Sequence, residues 1–127
     1  MPKDRAVFEL PMRVASVANL REHWAVKAKR VKKERTAVFA VLRTVRSLPA
    51  LPVNVKMVRL APRTLDGDNL QSAFKAVRDE LAAAFKLDDN SVLIDWFYSQ
   101  EKSKTYGVRI EIESQPISKN WKEGKSR

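Results

Sequence analysis

Two short acidic runs are the parts of this 127-residue chain best suited to chemistry. In LDGDNL, Asp66 and Asp68 stand on either side of Gly67, and in KLDDNS the pair Asp88–Asp89 follows about twenty residues later. Glycine adds no side-chain bulk and lets the backbone turn, so both carboxylates of the first run can point the same way. Magnesium takes hard oxygen ligands, usually one or two carboxylates completed by water and substrate phosphate. Acids gathered from two such turns suit that chemistry. Each run also has a purely structural use: aspartate caps helix N-termini and suits the macrodipole, and Asp-Asp-Asn-Ser makes an ordinary turn. One carboxylate as a cap is normal, but a second beside it repels the first unless a cation lies between them. LDGDNLQSAFKA lacks the ligand pattern and closing glutamate of an EF-hand.

The elements that must position these acids follow from the apolar pattern. Residues 5–13 alternate loosely and predict a first strand, with Pro11 at its end or edge. A helix is predicted from about His23 to Arg46, with Trp24, Ala28, Val31, Val38, Leu42 and Val45 as its apolar stripe and Arg35 interrupting it. Pro49 and Pro52 bound a linker, and Val53–Leu60 alternates as a β-branched strand. A second helix, capped by Asp66 or Asp68, carries Leu70, Ala73, Phe74, Val77, Leu81, Ala84 and Phe85 on one face and stops near Lys86. Ser91–Gln100 and Thr105–Glu113 both alternate and are predicted to form a hairpin. Val92, Ile94, Trp96 and Tyr98 share one face of the first. In the second, Tyr106, Val108, Ile110 and Ile112 face in while Arg109, Glu111 and Glu113 face out. The expected fold is α+β: a single domain in the order β-α-β-α-β-β, two helices packed on a four-stranded mixed sheet. Residues 114–127 are expected to be a basic, flexible tail.

At 100° per residue from Asp68, Ser72, Lys75 and Asp79 fall within 40° of it, opposite an apolar stripe centred near 200°. Lys75 can steady the charge that develops on a phosphate, or it can pair with Asp79 one turn on. Spacing alone does not choose between them.

Charge is distributed unevenly. The chain carries 25 lysines and arginines against 15 acids, for a net charge of +10. Residues 1–65 hold 15 of those cations and 4 of the acids, whereas residues 66–127 hold 10 and 11. A basic half attracts a polyanion, while local carboxylates hold cations. KAKRVKKER places Lys27, Lys29, Arg30, Lys32, Lys33 and Arg35 on one stretch of helix, and Asn19 and Arg21 precede it in a loop that can touch phosphate. No aromatic residue interleaves with these cations, which favours duplex backbone contacts over stacking on single strands. The structural alternative is a solvated helix face. There is no cysteine, so disulfides and thiolate metal sites are excluded, and one histidine makes a structural zinc site implausible. No signal-peptide pattern and no membrane-length apolar run occurs, so the expected setting is cytoplasmic, with no membrane partner.

The run LDGDNLQSAFKAVRDEL, followed by KLDDNSVLIDWFYSQEK, resembles the RusA family of Holliday-junction resolvases, as does NLREHW with the basic helix behind it. The shared pattern is Asp-x-Asp-Asn-Leu entering a helix, a lysine and an aspartate on that helix, then Asp-Asp before a strand. It covers roughly residues 5–113, so the resemblance implies a nuclease domain over residues 1–113. It further implies a homodimer that cuts four-way DNA junctions with Mg2+, or Mn2+ in its place, in a phage or prophage setting. On this basis Asp66, Asp68 and Asp89 are the expected metal-binding catalytic acids, Asp88 an auxiliary ligand and Lys75 the catalytic cation. The family's functional lysine falls four residues after the second aspartate, where this chain has Ser72. Lys75 keeps the same facing about 4.5 Å further along the helix. The alternatives are a catalytically weak or inactive DNA-binding protein on the same fold, and a basic RNA- or protein-interaction module.

Overall fold

The computed structural model describes residues 5–14, 24–45 and 47–115. Its elements are β1 (Arg5–Leu10), α1 (Trp24–Leu42), β2 (Val53–Ala61), α2 (Gly67–Ala73), α3 (Lys75–Ala84), β3 (Ile94–Lys102) and β4 (Gly107–Ser114). The fold is α+β, with helices packed on one four-stranded mixed sheet. The core gathers alternate residues of the sheet (Val53, Val55, Met57, Ile94, Val108, Ile110, Ile112) against Phe74, Val77 and Leu81 of the helical layer. Among the described residues, no helix is long and apolar enough to cross a membrane.

Sheet order departs from the expected hairpin. The strands lie in the order β1-β4-β2-β3, so β3 and β4 are not neighbours. β2 pairs parallel with β3 on one side and antiparallel with β4 on the other. A parallel neighbour follows from joining β2 to β3 through α2 and α3, the usual helical crossover. The short link after β3 then passes over the end of β2, where Ser103 N–H donates to the Ala61 carbonyl. β2 is the most buried strand and takes an interior position, while β3, with Phe97 half exposed, lies at the edge. Val92, expected to face in, is 60% exposed in the turn before β3, and Tyr106 is also exposed.

The expected second helix is interrupted at Phe74, whose φ of −95° and ψ of 5° end α2 and begin α3. Phe74 N–H donates to the Gln71 carbonyl three residues back, and the Ser72 hydroxyl donates to the Asn69 carbonyl. Such tightening and serine back-bonding bend a helix without breaking its direction. α3 ends in a Schellman motif: Leu87 N–H donates to Ala82 and Lys86 N–H to Ala83, with Lys86 at φ 60°. That reversal delivers the chain to Asp88 and Asp89.

α1 buries the later part of its expected apolar stripe, Val38 and Leu42, and leaves the start of it in solvent. Trp24 is 76% exposed and Ala28 is also exposed, while the buried positions are Glu34 and Val38. Ala37, Val41 and Leu42 pack beside them. Arg35, which interrupts the stripe, donates through Nε to Glu80 of α3 at 3.0 Å, and Arg30 pairs with Glu34 one turn along α1 at 3.2 Å. The polar tail begins later than expected, since Ser114 closes β4 and Gln115 is buried. Gln115 Nε2 donates to the Val53 carbonyl, Asn54 Oδ1 and Asp95 Oδ2. The remainder of the expected tail lies outside the described residues.

Candidate functional site

A cleft of about 600 Å³ opens between α1 and the α2–α3 unit, closed at one end by the Asp89 turn and Tyr98 of β3. Ser72 lines it, and its charged walls are four carboxylates, Glu34, Asp68, Asp79 and Asp89, and four cations, Lys27, Arg30, Lys75 and Arg78. Asp68, Ser72, Lys75 and Asp79 therefore share one polar face despite the bend at Phe74. Asp89, distant in sequence from Asp68, lines the same cleft.

The turns that carry the acids are tied to the sheet by side chains that sequence reasoning passed over. Gln100 on β3 reads the backbone of Leu65 like a neighbouring strand: Leu65 N–H donates to Oε1 at 2.9 Å, and Nε2 donates to the Leu65 carbonyl at 2.7 Å. Arg59 on β2 is buried and donates through Nη1 to the Arg63 carbonyl at 2.6 Å. Burial lowers its pKa from the ordinary arginine value, with Tyr106 and Arg13 acting in opposite directions. Together these bonds hold residues 63–65 just ahead of Asp66. Replacing Gln100 with leucine of similar size leaves both Leu65 groups without their partner. We expect a loss of about 1–3 kcal/mol, measured as a fall in the urea midpoint at unchanged slope; an unchanged midpoint would show that Gln100 does not anchor this loop.

Asp66 is the N-cap of α2, its Oδ1 accepting Asn69 N–H at 3.0 Å, and it does not line the cleft. Asp88 is exposed in the turn, where its carbonyl accepts Ser91 N–H, and it too lies off the cleft wall. The expected convergence of these acids on one cation is thus only partial. Among the described residues, no three carboxylates or imidazoles form a ready cation site. Positive side chains surround Asp89 instead. Lys75 Nζ lies 3.0 Å from Asp79 Oδ1 and 3.6 Å from Asp89 Oδ2. The Asp79 hydrogen bond, with the charges of Asp79 and Asp89, raises the Lys75 pKa above its ordinary value and keeps the ammonium charged. Both roles read for Lys75 are compatible with this position, because the side chain is 64% exposed and can leave Asp79.

Arg78 lies at the margin of the apolar stripe, three residues after Lys75. It donates to Tyr98 Oη at 2.7 Å and to the Asp89 carbonyl at 3.0 Å. Its Nε is 3.1 Å from Asp89 Oδ2, an ion pair whose angle falls short of a hydrogen bond. An arginine beside an apolar face, three residues after Lys75, was the available signal; its partners were not visible in the sequence.

The basic residues of α1 divide among different surfaces. Lys27 and Arg30 face the cleft, with Arg30 held by Glu34. Lys29 is exposed, Lys32 lines a groove with Trp24 and Phe39, and Lys33 lines a third depression beside Met12. Asn19, Arg21 and His23 lie outside the described residues.

The carboxylates of Asp68 and Asp89 that line the cleft have the hard oxygen chemistry that magnesium requires. Compared with known proteins, the chain matches no family model and no curated protein.

Proposed function

We propose that this protein is a magnesium-dependent, structure-selective DNA endonuclease of the RusA type, acting on four-way junctions as a homodimer. The observation that carries the reading is the shared cleft: Asp68 and Asp89, about twenty residues apart in sequence, line the same cleft beside the basic helix α1. Asp68 and Asp89, with Asp66 one step outside, would hold the cation, and Mn2+ would fit the same oxygen ligands. A divalent ion bound there supplies Lewis-acid polarisation of the phosphoryl oxygen and lowers the pKa of water.

The chain's own groups then divide the work. Lys27 and Arg30 meet the incoming phosphodiester along one wall of the cleft, where each phosphate contact also releases counterions. Lys75, held near Asp79 and Asp89, reaches the non-bridging oxygens and offsets charge as it develops. Hydrolysis joins a water oxygen to phosphorus, breaks the phosphorus–oxygen bond to the leaving strand, and returns one proton to that oxygen. Asp79, which lines the cleft beside Lys75, would accept the proton lost by the attacking water. A two-fold dimer would match the two-fold symmetry of a four-way junction and cut paired strands.

The test compares four-way, three-way and linear duplexes of equal length with magnesium present and absent. The expected result is paired nicking of the four-way junction alone, dependent on magnesium. Equal cutting of all three substrates would remove the structural selectivity. A second reading, a junction- or duplex-binding protein without catalysis, is favoured by Lys75 and Arg78, which already neutralise Asp89. Calorimetric titration separates the two: binding to the junction with no heat from magnesium or manganese would support the binder.

A further inference from the structure

We propose that Arg78 is the residue that positions Asp89, holding its turn against β3 so that the carboxylate faces the cleft. The inference rests on the reading of that cleft as a cation site. One guanidinium spans the whole junction between α3, the turn and the sheet. Nη1 donates to the Tyr98 hydroxyl, Nη2 donates to the Asp89 carbonyl, and Nε lies beside Asp89 Oδ2. The guanidinium carbon also sits 4.8 Å from the centre of the Trp96 ring, and Trp96 Nε1 donates to the same Asp89 carbonyl at 2.9 Å.

Asp89 is therefore held at both its backbone and its side chain by a group that is itself fixed at two further points. Lys75 cannot substitute for this, being 64% exposed and 3.6 Å away, whereas the Arg78 side chain is only 23% exposed. A planar fork donates to two fixed acceptors, keeps its third nitrogen beside the carboxylate and sits over an aromatic ring, a fixed spacing that a single ammonium nitrogen does not reproduce. Charge-assisted bonds in a partly desolvated setting make the arrangement stiff. Residues of this kind orient metal ligands, and losing one typically weakens metal affinity or activity 10–100-fold. A purely electrostatic role predicts the reverse sign, because a cation beside the site repels magnesium and its removal would tighten binding. The two roles can therefore be separated.

Arg78→Lys keeps the charge and removes the fork, and Arg78→Met removes both. The first measurement needs no metal: Trp96 emission in a Trp24→Phe, Trp121→Phe background, together with amide exchange across residues 87–93. The expected result for both variants is red-shifted emission and about tenfold or faster exchange in that turn, with α3 and β2 protection retained. Tyr98→Phe, which removes only the Arg78 anchor, should loosen the turn in the same direction and guards against a fold defect in the arginine variants. The second measurement is the magnesium concentration that half-saturates junction cleavage, which should rise 10–100-fold in Arg78→Lys and Arg78→Met alike. Unchanged emission and exchange in both variants would overturn the proposal, as would tighter magnesium binding in Arg78→Met with wild-type behaviour in Arg78→Lys. If the unmutated protein shows no magnesium response, the nuclease reading fails by itself, and the metal-free measurements still decide whether Arg78 positions Asp89.

Discussion

Asp68→Asn is expected to abolish magnesium-dependent cleavage of a four-way junction while leaving junction binding within a few-fold of the unmutated protein. Asparagine keeps the size and one oxygen of the side chain but loses the negative charge that a hard cation needs. Asp68 is exposed in the first turn of α2, and the capping role there belongs to Asp66. Its replacement therefore has little reason to disturb the helix. Losing one carboxylate from a cation site costs several kcal/mol of transition-state stabilisation; even about 3 kcal/mol reduces the rate roughly 10²-fold. The measurement is single-turnover cleavage at saturating protein, with binding followed separately by gel retardation in calcium. Retained cleavage would exclude Asp68 from the reaction. Joint loss of binding and cleavage would assign it a structural role. Asp66→Asn gives a useful contrast, because its carboxylate already serves Asn69 N–H, and an amide oxygen can still accept that bond.

Phe74→Ala should be the most destabilising single change in the helical layer, at about 3–5 kcal/mol. Phe74 is fully buried, lies in the main core and packs its ring against Tyr98 at 6.1 Å between centroids. Domains of this size have total stabilities of about 5–15 kcal/mol, so the loss is a large fraction of the whole. The position also matters for the site. Phe74 is the bend between the helix that carries Asp68 and the helix that carries Lys75, Arg78 and Asp79. Emptying its pocket loosens the setting of α2 against α3 within one wall of the cleft, so cleavage should fall even where the variant remains folded. Urea denaturation followed by far-ultraviolet circular dichroism measures the first effect, and cleavage at a temperature well below the midpoint measures the second. A stability loss below about 1 kcal/mol would mean that neighbouring side chains collapse into the space.

The surface of the sheet away from the helices is stabilised differently. Arg109 on β4 pairs with Glu101 and with Glu111, and Arg5 adds a weaker contact to Glu111. Hydrogen bonds from Arg109 hold both glutamates below their ordinary carboxylate value and push the guanidinium further up. These groups lie on the face opposite the core, and exposed pairs of this kind contribute little individually.

Local chain properties account for what was legible in the sequence. Alternation at period two and apolar recurrence near 3.6 depend only on neighbours along the chain, so all four strands and both helical regions could be read, with end shifts of a few residues. The shared face of Asp68, Ser72, Lys75 and Asp79 could be read for the same reason, because helical geometry fixes it regardless of what the helix packs against. Tertiary structure alone decided which strand lies beside which, since the β3–β4 link looks like a hairpin until α2 and α3 claim the position next to β2. It also decided how much of the α1 stripe is covered. Val38 and Leu42 of that stripe meet the core while Trp24 and Ala28 lie in solvent, and Arg35, which interrupts it, meets Glu80, 45 residues away. The fate of the acids was settled in the same way. Asp66 turned to its own helix because a cap bond lies three residues away, whereas Asp89 reached the cleft because α3, reversed by Lys86, returns it to Arg78. Capping is a short-range bond that the sequence can announce, but an ion pair between a helix and the turn beyond it exists only once the chain has folded back on itself.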